Sequence, residues 1–351
     1  MFMFQNTTMK VAFITGIAGQ DGSFLAEFLL SKGYKVIGLL RRSSQMQTFD
    51  RLKTIQHNKD LELIYGDVTD MSSIMNGLRV CMSYHSVNSP IEIYNLAAQS
   101  HVKVSFSTPI YTANADGLGL LNLLEAILML GIKDKVRVYQ ASTSELFGST
   151  PPPQNEKSPM CPQSPYAIAK LFAYWIVKNY RDAHNMFVVN GILFNHESER
   201  RTENFVSRKI TVYVAKYVKG LVNNPLELGN LYAKRDWGYA KDFVEAMWLM
   251  LQRDKPEDLV IATGLQYSVK EFATIAFKVV GIDLEWKNDE AWYKDRLLIK
   301  VNPAFFRPTE VESLCGDPSY AKQVLSWEPK TKFEDLVQIM ITKDLQVLNT
   351  Q

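Results

Sequence analysis

The chain has 351 residues, 46% of them apolar and 22% charged, enough for one large globular domain or two modest ones. A net charge of +2 gives no global case for nucleic acid or an anionic membrane surface as partner, and no apolar run reaches the length of a membrane span. The three cysteines, Cys81, Cys161 and Cys315, are far apart and lack metal-ligand spacing, so no metal is expected and a reducing, cytoplasmic compartment is.

The first eight residues, MFMFQNTT, lack the basic flank and long apolar core of a signal peptide. They read as a disordered lead-in, with the fold starting near Met9. KVAFIT, Lys10 to Thr15, is nearly all apolar, as expected of a strand buried on both faces in a parallel sheet. TGIAGQDG follows, with Gly16, Gly19 and Gly22, and then a helical pattern with Leu25, Phe28 and Leu29 on one face and Gly33 as its stop. Strand, Gly-rich turn and helix together let backbone approach a pyrophosphate at a helix N-terminus. The spacing is GxxGxxG rather than GxGxxG, and the plain alternative is a bare turn.

The next strand, Tyr34 to Leu40, ends in Arg41, Arg42, Ser43 and Ser44. An acidic residue there would bind the adenosine ribose hydroxyls. Basic residues with hydroxyls suit a 2′-phosphate instead, which favours NADP over NAD; the alternative is a solvated basic loop. Leu61 to Tyr65 is strand-like, with Asp67 and Val68 just past it. Asp67 can accept a hydrogen bond from an adenine amino group or cap a helix. Ile91 to Leu96 is another strand, and the small Ala97 and Ala98 after it would let backbone pass close to a cofactor. Tyr111 reads either as a core aromatic or as a cofactor contact.

Val136 to Ala141 is the next apolar run, and it leads into Ser142, Thr143, Ser144 and Glu145. A Pro-rich loop follows, then SPYAIAK, where Tyr166 and Lys170 stand at i and i+4. On a helix that spacing puts both on one face. Ser164 suits the N-cap and Pro165 the first turn. A phenol has a free pKa near ~10, and an ammonium beside it favours the phenolate, so Tyr166 can serve as a base near neutrality. Thr143 can hydrogen-bond the same substrate oxygen, and Glu145 offers a second proton-transfer group. A Tyr/Lys pair at this spacing is by itself ordinary helix surface; the nucleotide signals ahead of it give it weight.

Strand Met186 to Phe194 leads to NHESERR, with His196 and Arg201 just beyond; a lone His reads as structural or as a ligand contact. The pattern then loosens, and scattered basic residues (Arg208, Lys209, Arg235, Arg307) could together grip a diphosphate. Asp242 to Leu251 reads as a helix, and LVIAT as a strand returning to the main sheet. The expected architecture is α/β: a Rossmann-type doubly wound parallel sheet with ligand at the carboxyl ends of its strands, and a smaller, discontinuous C-terminal substrate domain. The nucleotide-binding part takes residues 9–194 plus about 241–264, and the substrate part about 195–240 plus 265–345.

These residues carry a family resemblance. TGxxGxxG with YxxxK is similar to the extended short-chain dehydrogenase/reductase group. The ordered set GIAGQDGSFLAEFLL, RRSS, NLAAQSHV, ASTSELFG, SPYAIAK, FNHESERR, FVSRKI, RDWGYAKDFVEAMW and RPTEVESLCGD closely resembles the GDP-mannose 4,6-dehydratases over nearly the whole chain from Met9. Thr143-Ser144-Glu145 matches their pattern, where dTDP-glucose dehydratases carry Thr-Asp-Glu and decarboxylating or epimerising relatives lack the Glu. The departures are small: Phe147 where the family often has Tyr, and Ala18 where it often has Thr.

The resemblance implies that Gly16, Gly19, Gln20, Asp21, Arg41, Arg42, Ser43, Asp67 and Val68 line an NADP site. It adds Leu96, Ala98, Ser100, Tyr111, Lys170, His196 and Arg201 to that site. Asn195, Lys209, Arg235 and Arg307, with Ser100, are implied to hold GDP-mannose, and Thr143, Glu145, Tyr166 and Lys170 to do the chemistry. The implied product, GDP-4-keto-6-deoxymannose, feeds synthesis of GDP-6-deoxyhexoses of the GDP-fucose type. A loop after Arg41-Arg42 that reaches a neighbouring subunit in the family implies a homodimer or homotetramer. The competing readings are an NADP-dependent reductase or epimerase of another nucleotide sugar, which would not need Glu145, and a dehydratase that also reduces its own 4-keto product. A non-catalytic nucleotide sensor is a third, which typically loses the Tyr or Lys present here.

Overall fold

Short apolar runs alternating with amphipathic ones set the first half of the chain. The computed structural model describes residues 9–42 and 46–349; the lead-in 1–8 and Ser43 lie outside the described residues. In chain order come β1 (Val11–Thr15), α1 (Gln20–Ser31), β2 (Lys35–Leu40), β3 (Leu61–Tyr65), α2 (Met71–Tyr84), β4 (Ile91–Asn95), α3 (Val102–Ser107), α4 (Pro109–Thr112), a π-helical turn (Ala113–Leu118), α5 (Gly119–Met129), β5 (Val136–Thr143), α6 (Pro165–His184) and β6 (Val188–Leu193). The rest comprises β7 (Asn195–Glu197), α7 (Val206–Val218), β8 (Leu226–Leu228), β9 (Lys234–Arg235), β10 (Trp237–Tyr239), α8 (Ala240–Leu251), β11 (Leu259–Ile261), β12 (Tyr267–Ser268), α9 (Val269–Val279), β13 (Glu285–Lys287), β14 (Glu290–Tyr293), β15 (Arg296–Val301), α10 (Ser319–Leu325) and α11 (Phe333–Asn349).

Seven strands form one sheet in the order β11-β6-β5-β4-β1-β2-β3. The pairs β1 with β2, β1 with β4, β2 with β3, and β4 with β5 are all parallel. Strand order reverses on either side of β1, as in a doubly wound fold, and such a reversal opens a crevice at the strands' carboxyl ends. β1, β2 and β4 are buried along their whole length, as their unbroken apolar runs require. β3 is half-buried along its length because it is the edge strand, and Tyr65 at its end is exposed. β11 is the returning strand expected of LVIAT. Among the described residues no helix is long and apolar enough to cross a membrane.

The described chain divides into two compact units. The first takes residues up to Thr143, then Ser164–Ile192 and Val244–Leu259; the second takes Ser144–Gln163, Leu193–Phe243 and the chain from Val260 on. The stretch 144–163 therefore groups with the second unit, where the sequence reading kept it with the nucleotide-binding part. Long-range polar bonds explain the difference. Gln154 N donates to the Cys315 carbonyl (2.9 Å) and Asp317 N to the Gln154 carbonyl (2.8 Å), while Glu156 Oε1 accepts from Val260 N (2.7 Å).

In the first unit Phe13, Ile37, Ile74, Leu78, Ile91, Ile93 and Leu123 share one core. In the second, Ile210, Val214, Phe272, Phe277, Leu298, Leu336 and Met340 share another. Each such side chain stabilises its unit by roughly 1.5–3 kcal/mol.

Asp236 is a polar anchor of the second unit. It is fully buried. Its carboxylate accepts from Thr263 N (2.9 Å), Thr263 Oγ1 (2.7 Å), Gly264 N (2.9 Å) and Gly316 N (3.2 Å). Asp236→Ala strands those donors, at ~1–3 kcal/mol per buried unsatisfied group. We expect a loss of at least ~3 kcal/mol in urea unfolding; an unchanged midpoint would remove Asp236 as an anchor.

Candidate active site

The first unit gathers its polar loops at the carboxyl end of the sheet. Thr15 closes β1, and its Oγ1 accepts from Leu96 N and Ala97 N (both 3.1 Å) while donating to Asn95 Oδ1 (2.7 Å). Asn95 Nδ2 donates on to Gln140 Oε1 in β5 (2.7 Å). One hydroxyl and two amides thus hold the ends of three adjacent strands in register beneath the loops.

Gly16 follows in the left-handed region (φ +70°), and a Cβ there would lie 2.8 Å from Ala97 N and 2.9 Å from Ala97 Cα. The turn is built for close backbone approach. It delivers the N-terminus of α1, whose N-cap Gly19 is exposed and supplies no side-chain cap, and a helix N-terminus attracts a phosphate. Leu96 is half-buried, and Ala98 and Ser100 are exposed beside this turn's partner loop. Gly16→Ala meets both a strained φ and a backbone clash. It should lower the affinity of the purified protein for a nicotinamide dinucleotide at least ~10-fold by the strain cost alone, read by isothermal titration; undiminished binding would show that the turn does not cradle a dinucleotide.

Arg41 and Arg42 leave the end of β2 exposed. Arg41 Nη1 donates to the Tyr111 hydroxyl, and the Arg42 guanidinium lies 5.7 Å from the Tyr65 ring centroid. Tyr111 is 39% exposed, so the reading of it as a core aromatic is overturned: α4 turns its ring outward onto Arg41. Asp67 Oδ1 accepts from Thr69 N and Thr69 Oγ1 (2.9 and 2.8 Å); the N-cap of α2 is Asp70 instead. Val68 is buried and its carbonyl accepts from Asn122 (3.0 Å).

α6 begins as its sequence dictates. Pro165 occupies the first turn and Ser164 Oγ accepts from Ala167 N (3.1 Å). Lys170 is buried, donates to the Ala141 carbonyl in β5 (3.0 Å), and its Nζ lies 6.0 Å from the Tyr166 ring centroid. Ala141 stands two residues before Thr143, so the ammonium is fixed against the strand end that carries Thr143. Burial pulls the Lys170 pKa down, and the carboxylates of Asp116 and Asp21 push it back up.

The second unit holds a separate charged cluster. Arg235, 6% exposed, donates to the Lys234 carbonyl (2.9 Å) and lies 3.4 Å from Glu310 Oε1. Arg307 Nη1 lies 3.8 Å from Glu310 Oε1 and 3.9 Å from Glu145 Oε1. Burial lowers the Arg235 pKa, opposed by Glu145 and Glu310.

Lys209 donates to the Glu227 carbonyl (2.7 Å) and sits 3.7 Å over the Phe305 ring, two residues before Arg307. Asn195 Oδ1 is buried with no hydrogen-bond partner among the described residues, an acceptor available to a ligand. His196 donates from Nδ1 to the Phe194 carbonyl (2.7 Å) and stacks on Phe243. Arg201 Nε faces Glu197 Oε2 (3.1 Å), with its guanidinium 3.6 Å over Phe205. These last two have clear structural partners.

The sequence profile of the family described as GDP-mannose 4,6 dehydratase matches residues 13–340. A GDP-mannose 4,6 dehydratase 2 of Caenorhabditis elegans is 52% identical, across 97% of this chain and 90% of the relative. The chain belongs to the GDP-mannose 4,6-dehydratase family. The family's enzyme of that name from Homo sapiens is 49% identical across 97% of this chain and 93% of its own. The fold is wider than the family: a UDP-glucose 4-epimerase from Thermotoga maritima, solved with UDP-glucose, superposes with a TM-score of 0.79 at 21% identity, over 96% of this chain and 99% of that one.

Some residues that shape the site of this family member escape motif reading. Thr15 is a polar residue closing an apolar strand, a visible local signal. Gln99 and Asp116 carry no local pattern. Glu310 stands three residues after Arg307 within RPTE, a charge-pair spacing legible in the sequence.

Proposed function

We propose that this chain dehydrates GDP-mannose to GDP-4-keto-6-deoxymannose with NADP held in place and recycled within each turnover. The single observation that carries the chemistry is Lys170, buried on one face of α6 with Tyr166 and bonded to the Ala141 carbonyl, with Thr143 two residues on and Glu145 four. The first unit is the nucleotide-binding part of this reading and the second the GDP-sugar part. The fit of a dinucleotide to the first unit rests on the Gly16 turn, which a Cβ would fill, and on the uncapped start of α1. Arg41, steadied by Tyr111, and Arg42 favour a 2′-phosphate and therefore NADP over NAD. For the GDP-sugar, Arg235 and Arg307 match a diphosphate and the Asn195 side-chain Oδ1 offers an unused acceptor.

A bound nicotinamide dinucleotide supplies the hydride acceptor for carbon 4 and later the hydride donor for carbon 6. Tyr166, as phenolate, takes the proton of the 4-hydroxyl, and Thr143 hydrogen-bonds the same oxygen. Lys170 favours the phenolate by its charge. The 4-ketone acidifies the proton on carbon 5, which Glu145 removes and passes to the leaving 6-hydroxyl, so that water departs. A proton returned to carbon 5 balances the one Tyr166 removed, and the net reaction is a dehydration.

The reading includes self-association. Ile168, Phe172 and Trp175 are 58%, 42% and 56% exposed on α6 at i, i+4 and i+7, an apolar stripe that a second copy of the chain would cover. A cytoplasmic setting fits three free cysteines, one of them exposed.

The test is incubation of purified protein with GDP-mannose and no added cofactor, followed by mass spectrometry. Loss of one water with no net change in reduced nicotinamide supports the dehydratase with copurifying NADP. Conversion only after NADP is added keeps the dehydratase with looser cofactor. No conversion in either case overturns the reading.

A further inference from the structure

Asp116 is a buried carboxylate with no place in the chemistry above. It is 2% exposed and sits in the π-helical turn Ala113–Leu118. A π turn widens a helix by one residue and turns a side chain out of its regular position. Here the turn packs tightly on α6 beside Lys170: a Cβ on Gly117 would lie 3.4 Å from the Ala169 carbonyl oxygen and 3.3 Å from Phe172 Cδ1. Asp116 Oδ1 accepts from Gln99 N (2.6 Å), while Oδ2 is buried with no hydrogen-bond partner among the described residues. Gln99 in turn donates from Nε2 to the His101 carbonyl (3.2 Å) and accepts from His101 N (2.8 Å), which fixes the loop after β4.

An unpaired, dehydrated carboxylate oxygen is costly unless a positive charge is near. Lys170 is that charge, and the two groups act on each other. Burial raises the Asp116 carboxyl to about 6 against the opposing pull of the Lys170 ammonium and the Gln99 N–H. The charged groups acting on Lys170 are Asp116 on the π turn and Asp21 at the start of α1.

We propose that Asp116 is a positioning residue that keeps Lys170 protonated inside the protein, so that the Tyr166 phenolate has a cation to form against, and that it couples this charge to the loop after β4 through Gln99. The proposal rests on the reading of Tyr166 as the base. Two effects of Asp116 on Tyr166 oppose each other. Its own negative charge disfavours the phenolate; its support of the Lys170 cation favours it. A buried Lys without a counter-charge titrates several units low, so the support wins.

The experiment uses Asp116→Asn, which keeps an acceptor for Gln99 N and removes only the charge. The pH titration of the Tyr166 phenolate is followed by ultraviolet difference absorbance in the full-length protein, with Tyr166→Phe as the blank. The expected result is a midpoint about one unit or more higher in Asp116→Asn, with turnover of GDP-mannose near neutrality lower by about ten-fold or more and the alkaline limb of the pH profile drawn in. An unchanged midpoint overturns the proposal and leaves Asp116 as a hydrogen-bond acceptor only. A lower midpoint also overturns it, since Lys170 would then hold its proton unaided. A wild-type protein that titrates as expected but releases no water from GDP-mannose refutes the dehydratase reading and leaves the role of Asp116 intact. Loss of fold in Asp116→Asn, seen as lost cooperative melting, moves the same comparison to Asp116→Glu, where the charge is kept and a phenolate midpoint close to wild type is expected; a midpoint raised by a unit or more there overturns the proposal.

Discussion

Tyr166→Phe is expected to abolish the first step, lowering turnover of GDP-mannose by about 10²–10⁴-fold with the fold intact. The ring is buried in the first turns of α6, so removing one oxygen leaves the packing nearly unchanged. Without the phenolate, the 4-hydroxyl has no acceptor for its proton when hydride leaves carbon 4, and the oxidation stalls. The measurement is a single-turnover reaction in protein loaded with the oxidised nicotinamide dinucleotide, followed by reduced-nicotinamide absorbance. Formation of reduced nicotinamide at the wild-type rate would exclude Tyr166 as the base. Melting temperature serves as the control, since a structural defect would lower both.

Glu145→Gln should separate the two halves of the reaction. The first hydride transfer should proceed, while release of water falls by about 10²–10⁴-fold. Reduced nicotinamide should then accumulate in the mutant, whereas the wild type shows none at steady state. The amide keeps the volume of the carboxylate and cannot take the carbon-5 proton. Glu145 is buried in the short turn after β5, with the Arg307 guanidinium 3.9 Å away. Its replacement also leaves the Arg307 guanidinium facing the Glu310 carboxylate, 3.8 Å away. A weaker grip on the substrate would appear as a raised KM, whereas loss of the base appears in kcat. Unchanged water release would remove Glu145 from the chemistry.

Local patterns carried much of the architecture. KVAFIT, YKVIGLL and IEIYN became parallel strands because an apolar run of strand length has to be buried on both faces. SPYAIAK became the start of α6 because Ser164 and Pro165 satisfy a helix N-terminus, and period alone puts Tyr166 and Lys170 on one face. The basic pair ending β2 was also legible, because strand order places strand ends at one edge of a doubly wound sheet.

What tertiary structure decided was which distant groups meet. Tyr111 could be core or contact until α4 turned it onto Arg41, 70 residues earlier in the chain. Asp116 has no motif; a π turn packed on α6 makes it the neighbour of Lys170. The Pro-rich loop 144–163 directly follows β5 in the chain, yet bonds between Gln154 and both Cys315 and Asp317 tie it to a segment some 160 residues on. Periodicity and capping act within a few residues, so a chain displays them directly. Charge pairing and buried hydrogen bonds depend on where the backbone returns, and only the packed core sets that.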